Sequence, residues 1–196
     1  MSNIFQKLEF EAFRAGITPR TKESMNWFRQ KAQAMGKVSR AALMKEEPVE
    51  LKSRGIAGNM YMYFYDPKTK EKLPYYDSFP LVVVVGPAPG GFAGINLHYL
   101  NYNVRAQFLD ELMGLGPSNP RENSRLRKIR YNLLKSTRKF KEFKPCFKHY
   151  LGKHVKSQFA LVPMTEWEIA IFLPIEQFKK KGKQAVWRES LKIARR

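Results

Sequence analysis

Acidic residues are scarce in this chain. Seventeen Asp and Glu face 36 Lys and Arg over 196 residues, leaving a formal charge of +19 and a pI near 10.1. Cysteine is scarcer still: the lone Cys146 excludes an internal disulfide framework and fits a reducing compartment. Long apolar runs are missing too. The longest, residues 81–85, is strand-sized and far short of the ~20 residues that span a bilayer, so no membrane partner is expected. Residues 1–10 hold no apolar h-region and already contain Glu9, which argues against a secretory signal. The expectation is a soluble protein of the cytoplasm or of a particle assembled there.

Catalytic frames are equally sparse. No GK[ST] phosphate loop, dinucleotide fingerprint or Ser-His-Asp arrangement occurs. Nuclease chemistry needs clustered carboxylates around one or two metals. Here Asp66, Glu71 and Asp77 flank turns, while Glu166 and Glu168 open a helix, where capping explains them. Cys146, His149 and His154 have a loosely ligand-like spacing, but zinc would need a fourth ligand and His98 is the only other histidine. A buried thiol and two surface histidines are the simpler reading. The sequence therefore predicts a non-enzyme with no catalytic or metal-binding residues, no cofactor and no small-molecule substrate.

What is present is positive charge, unevenly placed. Residues 1–56 sum to +5, 57–120 to −1, 121–156 to +11, 157–176 to −3 and 177–196 to +7. The 121–156 tract is not low-complexity, because Leu126, Ile129, Leu133, Leu134 and Phe140 recur at helical spacing. One stripe can bury while Arg125, Arg127, Lys128, Arg130, Lys135, Arg138 and Lys139 stay on the surface. Lys179, Lys180, Lys181 and Lys183 form a second cluster. Charge runs often only keep a face solvated, yet a surplus of eleven in 36 residues, repeated at the C-terminus, points to a polyanion. Phosphates would relieve the mutual repulsion and release counterions, giving steep salt dependence. No helix-turn-helix or zinc-finger frame offers base reading, so contact with DNA would be sequence-independent and through its backbone.

The organisation reads as α+β in one domain: an N-terminal helical arm over 1–48, a β core over 57–100 and a basic helical part over 102–196. Helices are expected over 3–15, ended by Gly16, from Pro19 and Thr21 to about Met35, and from a Ser39 cap over 40–45. Residues 59–65 alternate Met with aromatics, residues 81–85 are β-branched, and strand character resumes over 92–97 after the run Gly86-Pro87-Ala88-Pro89-Gly90-Gly91, read as a hairpin loop. A small, strongly bent antiparallel sheet or SH3-like barrel follows, surrounded by N-terminal and C-terminal helices. Val104, Phe108, Leu109 and Leu112 predict an amphipathic helix closed by Gly114 and Gly116. Residues 117–123 read as a loop and Ser124 as the cap of the basic helix. A helical turn is expected over 146–151, a strand over 158–162, a capping box from Thr165 to Glu168 and a last helix over 184–194. The aromatic set Tyr61, Tyr63, Phe64, Tyr65, Tyr75 and Tyr76 could stack on single-stranded bases, but its near-neutral surroundings favour core packing or an inter-subunit surface.

Several stretches carry a resemblance. Residues 60–68 (MYMYFYDPK), 73–81 (LPYYDSFPL), 91–100 (GFAGINLHYL), 146–151 (CFKHYL) and 10–21 (FEAFRAGITPRT) are similar to a small late-gene protein of T4-like contractile-tailed bacteriophages, and they are spread so that the resemblance spans most of the chain. The resemblance implies a virion or morphogenesis component. Among the roles in such phages, protector of packaged DNA ends suits so basic a protein. The alternative it leaves is a structural baseplate, neck or tail-completion protein assembling through its aromatic sheet. Other virion proteins are then partners, and the location is the virion, with the host cytoplasm during assembly.

Overall fold

Alternation of side chains decides the centre of the fold. A computed structural model describes residues 4–36, 38–45, 49–113 and 141–195. In it Met60 and Met62 face one side of a sheet, and Tyr61 and Tyr63 face the other, as the period of two requires. Leu81, Val83 and Val85 join the first face, and Val82 and Val84 the second. Both faces are dry, which explains why this segment reads as a nearly continuous apolar run.

Three helices come first: α1 (Ile4–Arg14), α2 (Lys22–Ala34) and α3 (Arg40–Leu43). Gly16, at φ +70°, ends the first, and Thr21 caps the second by accepting from Ser24 N. Ser39 caps the third in the same way through Ala42 N. The strands are β1 (Leu51–Lys52), β2 (Met60–Met62), β3 (Tyr76–Asp77), β4 (Leu81–Ala88), β5 (Gly91–Asn96), β6 (Phe147–Leu151), β7 (Phe159–Val162) and β8 (Phe178–Lys179). Between β5 and β6 lie a 3-10 turn (Leu97–Tyr99), α4 (Tyr102–Met113) and a second 3-10 turn (Lys141–Cys146). The short α5 (Trp167–Ala170) follows β7, and α6 (Lys183–Ala194) closes the described chain. No described helix is long and apolar enough to cross a membrane.

Six strands form one antiparallel sheet in the order β1-β7-β2-β4-β5-β6, and β3 and β8 pair separately. The sheet is strongly bent. Phe159 of β7 and Phe92 of β5 stand three strands apart, about 14 Å in a flat sheet, yet their ring centroids are 5.6 Å apart. Tyr63 fills the concavity, with centroids 4.9 Å from Phe159, 5.6 Å from Tyr150 and 5.9 Å from Phe92. The barrel alternative is not realised among the described residues, since β1 and β6 remain unpaired edges of an open sheet. The convex face packs on the helices through Phe5, Leu8, Met25, Phe28, Phe108, Trp167 and Ile171.

Three local expectations are corrected. Residues 147–151 are a strand, not a helical turn, because β5 offers its whole edge: Gly91, at which a Cβ would stand 1.8 Å from Tyr150 O, lets the backbones meet. Sheet pairing outweighs the weak local helical signal. Strands from 51–52, 147–151 and 159–162 also enter the sheet that the sequence assigned to 57–100. The hairpin turn is only Pro89-Gly90: β4 continues through Gly86 and Pro87 past a bulge at Val85, which restores pairing with Ala93 and Phe92. The capping box at Thr165 does not form. Glu168 instead accepts from Arg20 N and Ser24 Oγ, both at 3.0 Å, and so ties α5 to the start of α2.

Candidate nucleic-acid interface

With so few acids, their placement determines which cations remain for a partner. Glu11 pairs with Lys31, Glu50 with Lys52, Asp66 with Lys70, Glu176 with Arg105 and Glu189 with Lys181. Asp77 is buried and accepts from Phe79 N, Gln177 N, Asn96 Nδ2 and the His98 ring. Each internal pair removes one charge of each sign, so the surplus of nineteen is untouched.

Of the sequence-predicted contacts, Arg125, Arg127, Lys128, Arg130, Lys135, Arg138 and Lys139 lie outside the described residues. The C-terminal four are described, and they do not act alike. Lys180 adopts φ +71°, and its ammonium donates to the carbonyls of Lys70, Glu71 and Leu73 at 2.6, 2.9 and 3.0 Å. Those three acceptors match the three protons of an ammonium, so Lys180 is saturated inside the fold. Lys181 pairs with Glu189 and lies 4.9 Å from the Tyr75 ring centroid. Lys183 donates to Tyr102 Oη at 3.3 Å and stands 3.7 Å from Glu176. Lys179, on β8, is exposed.

Sequence reasoning missed three cations that the fold arranges together. Val186 and Ser190 of α6 are buried; two residues on from each, Arg188 and Lys192 turn about 200° away to the solvent. Arg195, exposed at the C-cap, continues that row at spacing four then three. Helical periodicity alone could have found this stripe. The inner side of α6 packs against the 3-10 turns Leu97–Tyr99 and Lys141–Cys146. The Lys141–Cys146 part of the 121–156 tract, with exposed Lys144, therefore meets the C-terminal cationic helix although about forty residues separate them.

A buried polar centre fixes α6 in place. Arg105 is fully buried and donates to Leu100 O (2.8 Å), Ile171 O (2.8 Å) and Glu176 Oε1 (2.6 Å). Its guanidinium lies 4.8 Å from the Tyr102 ring centroid and 5.6 Å from that of Trp187, whose indole N–H donates to His98 O. Burial alone would raise the Glu176 carboxyl, but Arg105 foremost, with His98 and Lys183, pulls it down to about 2. Next to this centre Asn96 Nδ2 bridges Asp77 and Tyr150 Oη, each at 3.1 Å. The signal was faint: a lone Arg in a segment of net charge −1.

The cysteine and histidines weighed as metal ligands are engaged elsewhere. Cys146 is buried, donates to Phe143 O, and burial pushes its thiol up to about 12. The His149 ring meets Pro89 O at 2.9 Å, and the His154 ring meets Asp66 O at 2.9 Å. Tyr61 and Tyr63 are fully buried, so they belong to the core and offer no stacking or contact surface.

The family model described as Phage T4 terminal DNA protecting protein matches residues 5–192, nearly the whole chain. No curated protein and no solved structure matches.

Proposed function

Because the chain belongs to the phage T4 terminal DNA protecting protein family, we propose that it guards packaged DNA ends without catalysis, by gripping the phosphate backbone. The observation that carries this reading is the meeting of the two cationic tracts, as α6 packs on the Lys141–Cys146 turn within the 121–156 run. Arg125, Arg127, Lys128, Arg130, Lys135, Arg138 and Lys139 then make the first set of contacts. Exposed Lys179, Arg188, Lys192 and Arg195 make the second, while Lys180, Lys181 and Lys183 brace the fold. Such a grip ignores base sequence and denies an exonuclease the terminus on which it loads. Virion proteins around the packaged end are further partners in this reading, and the virion is its site of action.

Gel-shift titrations test it. Affinity for duplex should fall by about 10³–10⁵ between roughly 50 and 200 mM salt if six to ten phosphates are contacted. Blunt linear DNA should compete far better than a closed circle and should resist exonuclease when bound. Equal competition by the circle would leave only general DNA binding; no binding at the lower salt would overturn the proposal.

A structural role in a baseplate, neck or tail completion is the second reading. It draws on Phe10 and Phe13, which are 61% and 80% exposed on α1. Under it, Phe10→Ser with Phe13→Ser would block particle incorporation and leave DNA affinity unchanged.

A further inference from the structure

A cavity of about 340 Å³ opens between β5, β6 and the small β3–β8 sheet, lined by Tyr65, Tyr75, Tyr76, Tyr99 and Lys148 among others, with buried Asp77 and Asn96 as its floor. That volume lies at the lower end of the ~300–1,000 Å³ range of ligand pockets. Resting on the end-protecting reading, we propose that this cavity receives the terminal nucleotide of a DNA strand, its phosphate at the Lys148 ammonium and its base against the tyrosine walls.

Four features favour that occupant. Lys148 Nζ sits 3.9 Å from the Tyr99 ring centroid, and among the described residues no carboxylate pairs with it. The nearby Asp77 has both oxygens occupied by the donors already named. Burial lowers the Lys148 ammonium to about 8, so an incoming anion would relieve an unfavourable desolvation. Aromatic walls suit bases of any identity, since every base has a π-face. The mouth is cationic. Exposed Lys68 lines it, and the segment carrying exposed Lys153 and Lys156 is hydrogen-bonded beside it, through Lys156 N to Phe64 O and Asp66 N to His154 O.

The closed floor selects an end. An internal nucleotide has two neighbours that must both leave through one mouth, whereas a terminal nucleotide has one. Backbone grip alone cannot make this distinction, so the cavity would add end preference to it.

Two duplexes of equal length separate the ideas, one with open 5′-phosphorylated ends and one with both ends closed by hairpins. Wild-type protein should prefer the open duplex. Lys148→Met should lower affinity for the open duplex about tenfold, the loss expected for one charge-assisted contact, and leave binding to the closed duplex unchanged. A 5-iododeoxyuridine at the terminus should photo-crosslink wild-type protein at Tyr65, Tyr75 or Tyr99, a readout that needs no variant. A variant that keeps its full end preference, or weakens both duplexes equally, would overturn the cavity and leave end protection standing; so would crosslinks lying only on α6. Equal wild-type binding to both duplexes would overturn the end-protecting reading and this inference with it.

Discussion

Replacing Glu176 with Gln removes the anion that holds Arg105 in the interior. The two side chains are 0% and 2% exposed and meet at 2.6 Å. The carboxyl is depressed from 4.5 to about 2; at roughly 1.36 kcal/mol per unit the charged form gains about 3 kcal/mol from its surroundings. An independent expectation agrees, since deleting one partner of a buried pair costs about 3–5 kcal/mol. In a chain of 196 residues, about 3 kcal/mol lowers Tm by about 6–12 °C, at roughly 2–4 °C per kcal/mol. The sign follows from the direction of the shift. A group whose folded pKa is depressed contributes fully above its unfolded value, and that contribution fades as pH falls from 4.5 toward 2. Scanning calorimetry at pH 7 should show the drop, and the wild-type stability loss between pH 5 and 2 should flatten in Glu176→Gln. DNA affinity should weaken as well, because Arg105 joins the Leu97–Tyr99 turn, α4, α5 and Trp187 of α6. A Tm within about 2 °C of wild type, with parallel pH profiles, would refute the role given to the pair.

Four further outcomes follow from local geometry. Lys148→Met should stabilise the protein at pH 7, because wild-type folding must desolvate an ammonium whose folded pKa is lowered to about 8. That cost is complete below pH 8 and is relieved as pH rises toward 10.5, so urea midpoints of wild type should climb over that window and those of the variant should not. Cys146, buried and donating to Phe143 O, should resist iodoacetamide at pH 8 in native protein and react once denatured; rapid native alkylation would contradict its burial. Gly91→Ala places a methyl 1.8 Å from Tyr150 O, so β5 and β6 must part, and circular dichroism should show a large Tm loss or no folded protein. Gly16→Ala, where nothing lies within 4 Å of the added atom, should cost only the strain of its φ of +70°.

Helix caps and the β-branched strand were legible because they are local. Thr21, Ser39 and Gly16 act on backbone groups within a turn, and residues 81–85 carry their conformational preference in the side chains themselves. Residues 147–151 were not legible, since nothing within CFKHYL announces that a glycine-lined edge waits fifty residues upstream. The bend of the sheet was expected from short strands and tight turns, but its cause, three rings packed around Tyr63, joins residues nearly a hundred positions apart. Of the candidate site, the cationic composition of residues 179–195 could be counted while the engagement of Lys180, Lys181 and Lys183 could not. Lys180 looks like its neighbours in sequence, and only the loop at 70–73 arriving beneath it turns a surface charge into a fastener.

That difference between counted and available charge decides how the surface should be read. A run of four lysines suggests four phosphate contacts, yet three of them hold Tyr75, Tyr102 or the 70–73 carbonyls. Their grip orients α6, and the orientation turns Arg188, Lys192 and Arg195 outward together. Under the proposed backbone grip, substituting Lys180 should therefore weaken DNA binding indirectly, with a Tm loss alongside. Arg188→Gln with Lys192→Gln would instead weaken binding at unchanged Tm and reduce the salt slope by about 0.9 for each phosphate no longer neutralised. The aromatic residues obey the same logic: Tyr63 reads as a stacking platform by composition, and its full burial makes it the pin of the bend instead. In a chain this poor in acid, the cations bound inside the molecule determine which of the others face a partner.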